Sequence, residues 1–122
     1  MKVYLAASFP RLREMRERRA DLEKRGHTVT SRWLDHDPDT NYENIPEHAQ
    51  QRRAWEDWED VRASNCFIMF TESPPLSRGG RHTELGLALG LGKQVVIIGP
   101  KENVFHHLLC IRHFDRWEDV RF

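Results

Sequence analysis

Three runs in this chain are almost continuously apolar: "KVYLAA" (2–7), "CFIMF" (66–70) and "QVVIIG" (94–99). Each has the length of one strand, and none alternates apolar with polar residues. A strand with one wet face alternates, whereas a strand covered on both faces does not. The runs are separated by segments long enough for a helix and a return connection. Strand, helix, strand in that order means a right-handed crossover and a parallel pair.

Two weaker runs extend the pattern. "HTVTSRW" (27–33) alternates like a strand, and "CIRHF" (110–114) reads as a short one. The segment 11–25 reads as a helix with Leu12, Met15 and Leu22 as its apolar stripe. Ser8 and Pro10 mark its start and Gly26 its stop. Residues 34–46 are rich in Asp, Asn and Pro and read as loop. Helices are expected over 47–64 and 82–92, with a short one in "ENVFHHL". Asp115 and Glu118 are spaced as a capping box for a short C-terminal helix. Five strands of this kind predict one domain over 1–122, an α/β flavodoxin-like three-layer sandwich on a five-stranded parallel sheet. The first and third strands should then be neighbours. The site should lie at their C-terminal ends, where the loops Ala7–Arg11 and Thr71–Arg81 meet.

Charge and composition exclude several classes. Lys plus Arg and Asp plus Glu number 19 each, so no basic excess points to a nucleic-acid polymer. No apolar run approaches the length of a membrane span, and "MKVYLAASFPRLR" has no signal-peptide core, so a cytoplasmic protein is expected. Cys66 and Cys110 make no disulfide framework and read as reduced core residues. The seven histidines lack metal-ligand spacing, and "DHDPD" (35–39) lacks the ligand order and closing glutamate of a calcium loop. Neither metal nor cofactor is expected.

The stretch "SRGGRHTELG" (77–86) carries the chemistry. Gly79 and Gly80 permit backbone conformations and close approach that side chains forbid. The helix behind them presents free N–H groups to an anion such as phosphate. Glu84 reads as lying in the first turn, where the dipole favours its ionised form. It is either an ordinary first-turn acid or a nucleophile at the rim of the crevice. Gly86 and Gly90, four apart, read as a smooth face packed on the sheet.

The order "KVYLAAS", then "SNCFIMF", then "GGRHTELGLALGLGKQVVIIG" resembles the nucleoside 2-deoxyribosyltransferase family, including its relatives that hydrolyse nucleoside 5′-monophosphates at the N-glycosidic bond. The resemblance spans roughly residues 2–110. It implies a flavodoxin-like fold, a homo-oligomer, and attack by Glu84 on the anomeric carbon. Tyr4 matches the strand tyrosine that orients the nucleophile. Ser8 matches a loop serine that contacts the sugar or its 5′ end, although it also reads as a plain N-cap. The aspartate that handles the leaving base precedes the third strand. Asp57, eight residues before Asn65, fits that spacing. At about 100° per residue, Asp57 lies roughly 60° from the Ala54–Trp58–Val61 stripe, while Asp60 lies roughly 120° away and reads as solvated. Asn103 is the nearest match to a residue that a neighbouring subunit contributes.

One departure matters. Arg78 stands where the family often has Asp or Ser, and Arg81, His82 and Arg11 add positive charge. A 5′-phosphate would meet that charge, so a nucleotide substrate is favoured over a nucleoside. Arg78 and Arg81 therefore join Ser8, Gly79, Gly80 and Asn103 as expected substrate contacts. Trp33, Trp55, Trp58 and Trp117 read as core or interface, with an aromatic of the 33–42 loop available to cover the base. The expected chemistry is a glycosyl ester on Glu84, resolved by water or by a second base. Two rivals differ in kind. The Gly-Gly turn also resembles the phosphate loop of cytokinin-activating nucleotide hydrolases, which have a different fold variant. A non-catalytic nucleotide sensor would keep the anion site without needing Tyr4, Asp57 and Glu84 together.

Overall fold

In the computed structural model, which describes residues 1–122, the chain builds one sheet of five parallel strands. They are β1 (Lys2–Ala6), β2 (Thr28–Val29), β3 (Cys66–Phe70), β4 (Gln94–Ile98) and β5 (Ile111–Phe114), in the order β2-β1-β3-β4-β5. The three helices are α1 (Leu12–Lys24), α2 (Glu47–Ala63) and α3 (Gly80–Gly90). The step from β1 to β2 runs one way across the sheet and every later step runs the other. Right-handed crossovers therefore put α1 on one face and α2 and α3 on the other. This is the flavodoxin-like arrangement, with β1 and β3 adjacent: Val3 pairs with Cys66 and Ala6 with Met69.

The continuous apolar runs are the central strands. β3 is buried along its whole length, and β1 and β4 expose only their first residue. Leu12, Met15 and Leu22 of α1 close one face of the core, and Leu85 and Ala88 of α3 enter it from the other. No helix is long and apolar enough to cross a membrane.

Several local expectations are corrected. The strand predicted over 27–33 pairs only at Thr28 and Val29. Beyond Val29, side chains take over: Ser31 Oγ accepts from the Leu5 amide at 2.7 Å, and Trp33 Nε1 donates to the Leu5 carbonyl at 2.8 Å. With β1 satisfied in this way the chain turns into a 3₁₀ segment, Arg32–Asp35. Ser8 does not cap with its side chain, and α1 starts only after a 3₁₀ turn at Phe9–Arg11. The C-terminal segment is a 3₁₀ turn, Trp117–Asp119, led by Arg116 without a side-chain cap, so the Asp115–Glu118 capping box does not form. Asp60 is buried rather than solvated, because Arg32 covers it: the backbone amide and Nε of Arg32 donate to its two oxygens at 2.9 and 2.8 Å. Gly86 and Gly90 face outward into open space instead of packing on the sheet. Cys66 is buried as expected, but Cys110 is exposed.

Candidate active site

Two loops meet at the C-terminal ends of β1 and β3. Gly79 adopts φ of +125°, a conformation that side chains rarely reach, and so lets the loop turn directly into α3. The helix begins at Gly80, two residues earlier than expected, which moves Glu84 into the second turn. The helix dipole is then a weak influence on Glu84, and burial dominates.

Tyr4 is completely buried in β1, stacked on Phe67 with ring centroids 5.6 Å apart. Its hydroxyl donates a short hydrogen bond to Glu84 Oε2. Burial, with the charges of Glu84 and Asp57 added, raises the Tyr4 pKa well above its ordinary value. The phenol therefore stays protonated and remains a donor.

Glu84 and Asp57 border one cavity of about 420 Å³. Ala7, Phe9 and Trp33 form its wall on the β1 side, Tyr42 and Glu43 cross its mouth, and Ser77, Arg78 and Gly80 form its opposite rim. The aromatic wall is interlocked. Phe9 meets Tyr42 edge-on at 4.5 Å, and the Arg53 guanidinium lies over the Tyr42 ring at 4.8 Å. The Glu84 carboxyl is pushed up to about 8 by burial and by the Asp57 charge, against the Tyr4 hydrogen bond. The Asp57 carboxyl is pushed up to about 7, by burial first and then by Asp60 and Glu56. Neither acid has a cation partner within ion-pair distance. Two carboxyls in this state share protons near neutrality. The pair holds one proton between those values, and the arrangement that can react has the charge on Glu84, held by the Tyr4 donor, and the proton on Asp57.

The arginines serve differently from the sequence expectation. Arg81 is 2% exposed. Its guanidinium donates to Glu102 at 2.6 and 2.8 Å and to Ser77 Oγ at 2.9 Å, and it pairs with Glu72 at 2.9 Å. It borders the cavity, but its donors are already committed. Arg11 donates to Glu14, to Glu72 and to the Thr71 carbonyl. Arg78, 89% exposed, pairs with Glu43 across the cavity mouth. The cationic crevice inferred from composition is therefore a set of ion pairs, because Glu72, Glu102 and Glu43 come to meet the arginines.

Ser8 is buried beside the cavity and donates to Glu72 Oε2 at 3.1 Å. Asn103 is not brought to the carboxylates of its own chain. It caps the 3₁₀ turn Val104–His107 by accepting from the Phe105 amide at 2.9 Å, and it lines a separate cavity with His82, Leu85 and Phe105. Sequence reading missed Glu72 and Glu102. Both follow the C-terminal end of a central strand, the edge where sites of this topology form, and that position was the available signal. No group of acidic, histidine or cysteine side chains is arranged to hold a metal ion.

No protein-family model matches the chain, and no curated protein matches it. Solved structures do. A CMP N-glycosidase of Clostridium botulinum, BcmB, superposes with a TM-score of 0.60 at 21% identity, over 97% of this chain and 92% of its own. A 2-deoxyribosyltransferase from Bacillus psychrosaccharolyticus superposes with a TM-score of 0.77 at 22% identity, over 98% of this chain and 89% of its own. Both share the five-stranded parallel architecture. At these identities the likeness establishes the fold, and the site stands on its own geometry.

Proposed function

We propose that this protein cleaves the N-glycosidic bond of a nucleoside or nucleoside 5′-monophosphate through a covalent glycosyl ester on Glu84. The observation that carries the reading is a half-buried carboxyl, held by a fully buried tyrosine hydroxyl, that faces a cavity beside a second carboxyl. The printed activities of the two structural neighbours, N-glycosidic cleavage and 2-deoxyribosyl transfer, support the same bond as the target.

An ionised Glu84 oxygen attacks C1′ of the sugar. The C1′–N bond breaks and its electron pair leaves with the base. Protonated Asp57 gives its proton to the departing base nitrogen, which is general acid assistance. Tyr4 keeps its proton throughout and fixes the attacking carboxylate. The glycosyl ester is then opened by water, with Asp57 now accepting a proton, or by a second base.

The sugar end of the substrate meets the Gly79–Gly80 turn, where backbone N–H groups at the start of α3 suit a hydroxyl or a phosphate. Ser8 and Arg78 stand nearby, and a phosphate would compete with Glu43 for Arg78. Arg81 holds the loop through Glu72 and Glu102 instead of binding substrate directly. Self-association, which the family resemblance implies, is supported by exposed Val104, Phe105 and Leu109, with Phe105 and the open Gly86 bordering one cavity. Light scattering on the purified protein tests it, and a monomeric mass would refute it.

The function is tested by incubating the protein with paired nucleosides and 5′-monophosphates and separating the products. Free base should appear, and intact-protein mass should show a glycosyl adduct that is absent in Glu84→Gln. If neither nucleosides nor monophosphates release base, a non-catalytic nucleotide-binding module becomes the better reading.

A further inference from the structure

The face of the sheet that α1 covers has a cavity of its own. It measures about 220 Å³ and lies at the ends of β3 and β4, between α1 and residues 115–118. None of its lining residues borders the cavity of Tyr42, Asp57 and Glu84. Its floor is aromatic: Phe70 and Trp117, both buried, stack with ring centroids 5.8 Å apart. Two guanidiniums lie on that floor, Arg11 over Phe70 at 5.3 Å and Arg18 over Trp117 at 5.5 Å.

The two arginines differ in what they already hold. Arg11 donates from Nε and Nη2 to the two oxygens of Glu14 at 2.9 and 2.8 Å, and from Nη1 to Thr71 and Glu72. Glu14 is thereby engaged, and Arg18 reaches it only at 3.9 Å, beyond hydrogen-bond distance. The Arg18 side chain is 25% exposed, and its buried Nε has no partner within the chain. Its terminal nitrogens are therefore uncommitted donors, held in place by the indole beneath them. Arg116, also on the border, has only an exposed contact with Asp119 at 3.5 Å. Asp115 and Glu118 border the same cavity, are exposed and hold no ion pair. Once Arg11 and Glu14 are set against each other, two cations and two carboxylates remain around one small space.

We propose that this cavity binds a free α-amino acid, its carboxylate on Arg18 and Arg116 and its ammonium on Asp115 and Glu118. A bare oxyanion would satisfy the arginines and be repelled by the two carboxylates, and a bare cation would do the reverse. A zwitterion meets both signs and leaves no charge unpaired. The forked N–H groups of a guanidinium match the two oxygens of a carboxylate, and the free fork here belongs to Arg18. At about 220 Å³ the cavity falls below the roughly 300–1,000 Å³ of pockets for drug-sized ligands, which suits a molecule of a few heavy atoms. The site is separate from the carboxyl pair and does not depend on the glycosidic reading.

The test is calorimetric titration of the full-length protein with each standard L-amino acid, and with acetate and methylammonium as probes of one charge. At least one amino acid should bind, about tenfold or more tightly than either single-charge probe. Arg18→Met keeps an apolar stem over Trp117 and should weaken that binding about tenfold or more. Asp115→Asn with Glu118→Gln, both at exposed positions, should weaken it by about tenfold as well and serves if Arg18→Met does not fold. Arg78→Ala, on the rim of the front cavity, should change it by less than about twofold. Absence of binding by every amino acid overturns the proposal. Equal binding by acetate also overturns it and makes the cavity a plain anion site. Binding that is lost in Arg78→Ala but kept in Arg18→Met overturns it by moving the ligand to the front cavity.

Discussion

Glu84 and Glu102 lie on the same edge of the sheet, yet they sit in opposite electrostatic settings. Glu102 receives both terminal nitrogens of Arg81 and the amide of Glu72. Burial alone would raise its pKa, but the hydrogen bonds and charge of Arg81 outweigh burial and hold it below the ordinary range. Glu84 has a phenol in place of a cation, with Asp57 nearby, and is raised to about 8. A buried acid given a guanidinium is a structural strut. An acid denied one keeps its proton labile near neutrality, where a reaction can use it. The strut fixes the loop from which α3 starts, so it positions the reactive acid without touching it.

The sharpest break in this comparison is Glu84→Gln. Gln keeps the shape but cannot attack C1′, so turnover should fall at least about 10⁴-fold, about 5.5 kcal/mol in barrier, with the fold intact. Base-release rates and far-UV circular dichroism check it, and near-wild-type turnover would remove Glu84 from the chemistry.

The strut should fail in the other currency. Arg81→Met leaves Glu72 and Glu102 short of their main cation, which should cost roughly 3–5 kcal/mol of stability. Urea unfolding measures it. A loss under about 1 kcal/mol would mean that the pair is dispensable.

Asp57→Asn should lower turnover about 10²-fold by removing the proton donor. Wild-type turnover should also fall as pH rises past about 8, where the carboxyl pair loses its last proton and Asp57 can no longer donate. In Asp57→Asn that alkaline fall should vanish, and a pH–rate profile that keeps it would assign the donor elsewhere.

A smaller effect concerns stability against pH. Glu84 titrates near 4.5 when unfolded and near 8 when folded. Between those values the native state holds a proton that the unfolded chain has released, so this group's contribution to stability falls as pH rises. Glu84→Gln removes that slope. The variant should match wild type near pH 4.5 and become progressively the more stable of the two as pH rises toward 8. Thermal melts across that window check it, and a parallel pH dependence in both proteins would contradict the raised titration.

The smallest effect belongs to Arg78. Its pair with Glu43 is exposed, and Arg78→Ala should cost less than about 1 kcal/mol of stability. If kcat/KM for a 5′-monophosphate drops while that for its nucleoside does not, Arg78 contacts the phosphate.

Much of the frame could be read from the chain. Almost continuously apolar runs require two covered faces, so β1, β3 and β4 and their parallel order followed from burial alone. Gly79 marked the turn because only glycine takes its backbone conformation cheaply. The exposed Gly86 and Gly90 were misread because a periodic pair of small residues looks alike whether it meets a sheet or solvent. Asp60 was misread because one helical angle says nothing of an arginine arriving from 28 residues away.

What the sequence determined by itself is the alternation of buried strands and helices, and with it the edge where loops from β1 and β3 converge. Strand burial and crossover handedness are local and additive enough to survive in a linear pattern. Which acids become ion pairs and which stay unpaired was decided only in three dimensions. Glu102 and Arg81 are 21 residues apart, and Tyr4 and Glu84 are 80 apart. The state of a carboxyl depends on the charge and water within a few ångströms, and no spacing in the chain encodes those neighbours.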